Sequence, residues 1–208
     1  MALKNHLQPF RPLCGGIVIA TATVNHYGTL GVITTSNGND VWGITCAHVL
    51  GPPGGPVPDL DAVFQPDTSK EQFRIGATST DRSNQALDCA AFLITNGLAT
   101  VNEILGLGVI SKPRKPSVGD RVVKSGRSTG ITEGQIASII GAEIRIEKVS
   151  HFPAAYNLSE PGDSGAIWCD IATKAPVALH KRGSDAGASV SFASDLTAVL
   201  QVLRLQSF

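Results

Sequence analysis

A chain of 208 residues with one methionine, 22 glycines and 12 prolines suits one globular unit, or two small subdomains sharing a core, and can bury roughly 70% of its unfolded surface. Lys and Arg number 17, as do Asp and Glu, so the formal charge is zero and there is no electrostatic case for nucleic acid or an anionic membrane as partner. The glycine and proline content points to short strands and tight turns rather than a helical bundle.

Met1 to Arg11 lacks the continuous apolar stretch of a secretory signal, and no run of about 18 apolar residues occurs anywhere. Cys14, Cys46, Cys89 and Cys169 have no close-pair spacing. Three of them lie in apolar, strand-like runs, so free buried thiols are expected. These features together favour a cytoplasmic setting over a secreted one.

From Cys14 to Val24 and from Thr29 to Thr35 the chain reads as a hairpin about a turn at Asn25 to Gly28. A second turn, Ser36-Asn37-Gly38-Asn39, offers the positive φ angles of a tight hairpin. It leads into a strand from Asp40 that carries His48 at its far end. Gly51 to Pro58 is a breaker-rich loop, followed by short strands at Ala62 to Gln65 and Gln72 to Ala77 and by a polar loop, Thr78 to Gln85. The apolar run Ala86 to Ile94 carries a single carboxylate, Asp88, near its start, and an acid there needs a partner.

Thr95 to Gly108 reads as a connection, and Lys112 to Asp120 as a turn into a second set of strands. That set comprises Arg121 to Gly126, Gly130 to Ile140, Ala142 to Val149, the run opening at Ala166, Ala175 to His180 and Ala188 to Ala193. The period then changes. Ser194 is placed to cap a helix whose apolar residues Leu196, Val199, Leu200 and Leu203 fall at i, i+3, i+4 and i+7. The expectation is an all-β protein of about a dozen strands in two antiparallel barrels, closed by a C-terminal helix. The units expected are an extension at 1–13, a first barrel at 14–111, a second at 112–193 and the helix at 194–208.

Pro161-Gly162-Asp163-Ser164-Gly165-Ala166 carries the chemistry. Gly162 lets the chain turn so that the Gly162 and Ser164 amides converge on one point, where a developing oxyanion would need them. A serine hydroxyl needs a base and an orienting carboxylate. Of His6, His26, His48, His151 and His180, the candidate base is His48, and Asp88 is the candidate carboxylate. Each alone has a plainer reading: a packed core histidine, a carboxylate capping local amides, a turn serine. Their joint order, His then Asp then Ser, selects one arrangement among the known triads.

With Thr45-Cys46-Ala47-His48, Leu87-Asp88-Cys89-Ala90-Ala91 and Gly162-Asp163-Ser164-Gly165, the sequence resembles the trypsin/chymotrypsin-like serine proteases from about residue 14 to 206. The resemblance implies two six-stranded barrels with the site between them. His48, Asp88 and Ser164 would form the triad, and the Gly162 and Ser164 amides the oxyanion hole. The segment Lys124 to Gly134 is similar to the bacterial alpha-lytic-like branch. There an internal basic residue pairs with the acid before the nucleophile, so Lys124, or failing that Arg127, is expected to pair with Asp163. Ser159 and His180 match positions that line the first specificity pocket in glutamyl endopeptidases and in related viral cysteine proteases that cut after glutamine. That match implies a preference for Glu or Gln before the cut bond.

The expected function is therefore a serine endopeptidase acting on proteins or peptides without cofactor or metal. The alternatives are a catalytically dormant binding module on the same fold, a self-cleaving polyprotein-type protease, and a serine esterase.

Overall fold

The computed structural model describes residues 8–24, 27–36, 38, 40–149, 152–153, 156–184 and 189–206. His6, His26, His151, the turn residues Asn25, Asn37 and Asn39, and Ala188 at the start of one expected strand lie outside them.

Among the described residues the first half holds ten strands: β1 (Leu13–Gly15), β2 (Val18–Thr21), β3 (Tyr27–Thr29), β4 (Val32–Thr35), β5 (Val41–Thr45), β6 (Ala62–Phe64), β7 (Arg74–Asn84), β8 (Cys89–Ile94), β9 (Thr100–Ile104) and β10 (Gly108–Val109). Seven of them form one curled sheet, in the order β3-β2-β6-β7-β8-β5-β4, and β1-β9-β10 form a small second sheet. The apolar run that read as one strand from Cys14 divides because Gly16 takes φ +80, a conformation open to glycine. The piece before it, β1, pairs in parallel with β9. The piece after it, β2, makes the expected hairpin with β3.

Two local expectations are corrected here. The polar stretch from Thr78 is not a loop but the second half of β7, whose Ser83 and Asn84 pair with Ala90 and Cys89 beyond a bulge. Polarity there marks a solvent-facing strand edge rather than a turn. The stretch from Thr95 to Gly108, read as a connection, contains β9 and β10.

The second half holds β11 (Arg121–Gly126), β12 (Gly130–Ile140), β13 (Glu143–Glu147), β14 (Ile167–Asp170), β15 (Pro176–Gly183) and β16 (Val190–Asp195). They close as a six-stranded barrel in the order β11-β12-β13-β16-β15-β14. Its interior is filled by Val122, Ile136, Ile144, Ile146, Leu158, Trp168 and Val177. All-β architecture in two units with a terminal helix is thus as expected. The first unit is a curled seven-stranded sheet with a three-stranded sheet beside it, where a six-stranded barrel is expected.

The helix after β16, α2 (Leu196–Val202), buries Leu196, Val199 and Leu200 in the same core as Ile44, Phe92 and Ile104 of the first unit. It follows the barrel in sequence yet packs across to the first sheet. Asp195 caps it, accepting from Thr197 N at 2.8 Å. Ser194, the expected cap, instead donates its hydroxyl to Leu87 O at 2.7 Å. Arg82 of β7 holds the end of the chain by donating to Leu203 O and Arg204 O at 2.5 and 2.9 Å.

Candidate active site

Register brings the first two candidates together. β5 and β8 are antiparallel neighbours with Thr45 opposite Ala90, so the residues just past the end of β5 face those just before β8. His48 lies not at a strand end but in the short helix α1 (Ala47–Leu50) that begins directly after β5. Asp88 sits in the turn before β8 with φ 48, a left-handed conformation that Asp tolerates better than most residues. Its Oδ2 is 2.7 Å from His48 Nδ1 and its Oδ1 accepts from His48 N at 3.1 Å. The carboxylate therefore grips both the ring and the backbone of the histidine.

The third candidate comes from the loop before β14. Gly162 and Gly165 flank Ser164 with φ +102 and +95. A Cβ at Gly165 would run into Thr45 Oγ1 and Thr29 O of the first unit, so only glycine lets the loop approach that closely. Thr29 fastens it, its N donating to Ser164 O and its Oγ1 to Gly162 O, each at 2.8 Å. The Ser164 hydroxyl donates to Lys181 O at 3.0 Å. Among the described residues no protein group accepts from Gly162 N or Ser164 N.

Asp163 is fully buried, as is Lys124, and their charged atoms Oδ2 and Nζ lie 2.8 Å apart. Ser128 N and Thr129 N donate to Oδ1, and Thr129 Oγ1 and Glu160 N to Oδ2, at 2.6–3.1 Å. Burial pushes the Asp163 carboxyl up, but the charge and hydrogen bond of Lys124, then Thr129 and the charge of His180, bring it down to about 2. Burial lowers the Lys124 ammonium, and Asp163 opposes that shift. Arg127, the fallback partner, is elsewhere: its guanidinium lies over the Tyr27 ring.

A cleft of about 640 Å³ is lined by His48, Asp88 and Ser164 and also by Ser159, His180 and Lys181. His180 and Ser159 share its wall without bonding to each other. Ser159 Oγ lies 3.0 Å from Ser191 Oγ. The buried His180 ring meets Trp168 edge-on at 6.1 Å between centroids. Burial, then the nearby Lys124 charge, lowers His180 to about 3 against the opposing pull of Asp163. It is neutral at physiological pH, and its Nδ1 has no hydrogen-bond partner.

Ligand-type atoms of Cys46, His48 and Asp88 lie within 4.8 Å of one another. Cys46 is committed otherwise, its Sγ donating to His180 O at 3.1 Å, and burial, joined by the Asp88 charge, raises its thiol well above the ordinary range. A metal would need the thiolate that this environment disfavours.

No protein-family model and no curated protein matches the sequence. Solved structures do match. A glutamic-acid-specific serine protease described as using a histidine triad in substrate binding aligns at 16% identity and TM-score 0.71, covering 94% of this chain and 100% of its own. The Nocardiopsis protease NAPase aligns at 16% and 0.65, covering 93% and 97%. An alpha-lytic protease homologue, N4, aligns at 15% and 0.66 over the same shares. The chain has the chymotrypsin-like fold of bacterial serine proteases.

Within that fold, the groups that hold the site in place carry little signature in the sequence. Thr29 is an ordinary strand threonine until the loop glycines bring it against Gly162 and Ser164. Lys181 reads as a rim charge, yet its backbone carbonyl holds the Ser164 hydroxyl. Ser191 gives no local signal at all, because its tie to Ser159 spans the barrel. Only the paired glycines at 162 and 165 could have announced the close approach that makes Thr29 matter.

Proposed function

We propose that this protein is a serine endopeptidase that cuts peptide bonds through an acyl-enzyme on Ser164. The observation that carries the reading is the His48–Asp88 pair, with 2.7 Å between Nδ1 and Oδ2, opening onto the same cleft as Ser164. Asp88 holds the imidazole so that Nε2 is directed away from it and stabilises the imidazolium that forms. The Ser164 hydroxyl leaves Lys181 O as substrate enters, gives its proton to His48 Nε2 and attacks the carbonyl carbon. His48 returns that proton to the departing amine, and a water repeats the sequence to release the acid. Among the described residues the Gly162 and Ser164 amides have no protein acceptor, which leaves them available for the oxyanion. The buried Lys124–Asp163 pair keeps their loop in that shape.

The same cleft supports a choice of substrate. A buried, neutral His180 with Ser159 beside it offers hydrogen bonds but no positive charge, which suits a glutamine side chain better than a glutamate. The glutamate-specific neighbour is described as using three histidines. In this chain the described neighbours of His180 include the Trp168 ring and the Lys124 charge. Glutamine before the cut bond is therefore the preferred residue and glutamate the second. Four free buried cysteines fit a reducing, cytoplasmic compartment.

A dormant binding module is the second reading, favoured by one contact: the Ser164 hydroxyl is bonded to Lys181 O. Incubation with a proteome-derived peptide library separates the two. The peptidase reading expects new termini produced by the wild type and absent with Ser164→Ala. A library left intact by the wild type would leave only the binding module.

A further inference from the structure

Beside Gly162 and outside the lining of the cleft lies a cation, Arg127, that has no anion among the described residues. The Arg127 guanidinium carbon lies 4.7 Å from the Tyr27 ring centroid, and a Cβ on Gly162 would lie 2.8 Å from Arg127 Nη1. Among the described residues the guanidinium joins none of the ion pairs. Its Nε is buried without an acceptor. The backbone beneath it is anchored: Arg127 N donates to Thr29 Oγ1 at 3.1 Å, and that hydroxyl donates to Gly162 O at 2.8 Å. The charge is thus fixed relative to the nucleophile loop. The neighbouring cations are already engaged, Lys124 by Asp163 and Lys181 by Glu143.

The position says what this charge meets. The cleft is lined by His48, Ser159, Ser164 and His180 but not by Tyr27, Arg127 or Gly162. For a peptide whose residue before the cut bond fills the cleft, Gly162, Thr29 and Arg127 offer a surface beside Ser164 and outside that cleft for the residues after the bond. Side chains of an extended peptide alternate. With the residue before the bond directed into the protein, the next points away and the second residue after the bond points back in.

We infer that Arg127, stacked on Tyr27, forms a subsite for a carboxylate side chain on the second residue after the cut bond. The guanidinium fork matches a carboxylate in shape and charge, and the aromatic ring holds its plane before substrate arrives. An aspartate or glutamate there meets a guanidinium that joins no ion pair among the described residues, whereas a lysine meets a like charge. The subsite rests on the serine-peptidase reading, because it reads the segment that leaves after acylation.

The test uses peptides identical up to the cut, with Asp, Ala or Lys at the second position after it. Cleavage is followed with wild type, Arg127→Lys and Arg127→Glu. The wild type should prefer Asp to Lys by on the order of tenfold in kcat/KM, the size of one charge-assisted hydrogen bond. Arg127→Lys should keep part of that preference and Arg127→Glu should invert it. Each ratio is taken within one variant, so a loss of folded protein cancels. A wild-type ratio within about twofold of unity, or one unchanged in Arg127→Glu, overturns the subsite while leaving the peptidase intact. Failure to cut any peptide, with no labelling of Ser164 by a fluorophosphonate, removes the peptidase reading itself and the subsite with it.

Discussion

Two buried ionisable groups set the pH behaviour at the scale of single residues. Asp163 is held at about 2 against an ordinary 3.8. Its contribution to stability is therefore complete above 3.8 and is lost as pH falls through about 2. His180 is held at about 3 against 6.5, so below 6.5 the unfolded chain takes up a proton that the folded protein refuses. Stability should decline as pH falls from 6.5 towards 3, with a slope approaching about 1.4 kcal/mol per pH unit. Denaturant titrations across that range should show the slope in the wild type and a flatter one in His180→Asn. Equal slopes would place the histidine in contact with water.

The Lys124–Asp163 pair gives the second residue-scale prediction. Removing one partner of a buried pair strands the other charge, at a cost of about 3–5 kcal/mol. Lys124→Met should therefore lose stability by that amount at neutral pH. Because Asp163 adjoins Ser164, the proposed nucleophile, the variant should also lose kcat more than it raises KM. The double variant Lys124→Met with Asp163→Asn should recover part of the stability. A single variant within about 1 kcal/mol of wild type would show that the pair is not needed. For specificity, kcat/KM should be higher for peptides with Gln before the cut bond than for those with Glu, and His180→Leu should erase that difference. Cleavage after Arg or Leu alone would contradict the pocket assignment.

Among the elements, the sequence announced those whose signals are local. β11 and β12 have the bounds that the sequence suggests, because glycine-rich junctions punctuate the chain at their ends. The second half of β7 was hidden, because pairing at a solvent-facing edge is made by backbone groups and leaves its side chains polar. The cap of α2 was missed by one residue: Ser194 and Asp195 are both good caps, and the choice turns on Leu87 O claiming the serine. His48, Asp88 and Ser164 stand out by local setting and by their joint order and line one cleft, but Thr29 and Lys181 O depend on contacts between units that no local pattern encodes. Two element-scale outcomes follow. Asp195→Ala should cost about 1 kcal/mol of stability through the lost cap. Gly165→Ala should be far worse, since both its φ and the Thr29 and Thr45 atoms beside it forbid a side chain. Thermal unfolding of the two variants side by side gives the comparison.

On the whole-molecule scale, the cleft exists because two separate β units are held face to face. Thr29 ties the Gly162–Gly165 loop to the first sheet, and α2 returns from the end of the barrel to bury Leu196, Val199 and Leu200 in the first core. Three groups drawn from distant parts of the chain are thereby kept in one cleft without a disulfide among the four cysteines. The central claim is that this assembly makes Ser164 a nucleophile. Fluorophosphonate labelling, with the modified residue located by tandem mass spectrometry, tests it most directly. Ser164 should be modified near-stoichiometrically in the wild type, and the modification should be lost in His48→Ala although Ser164 is still present. An unlabelled wild type, or labelling that persists at the same rate without His48, would contradict it.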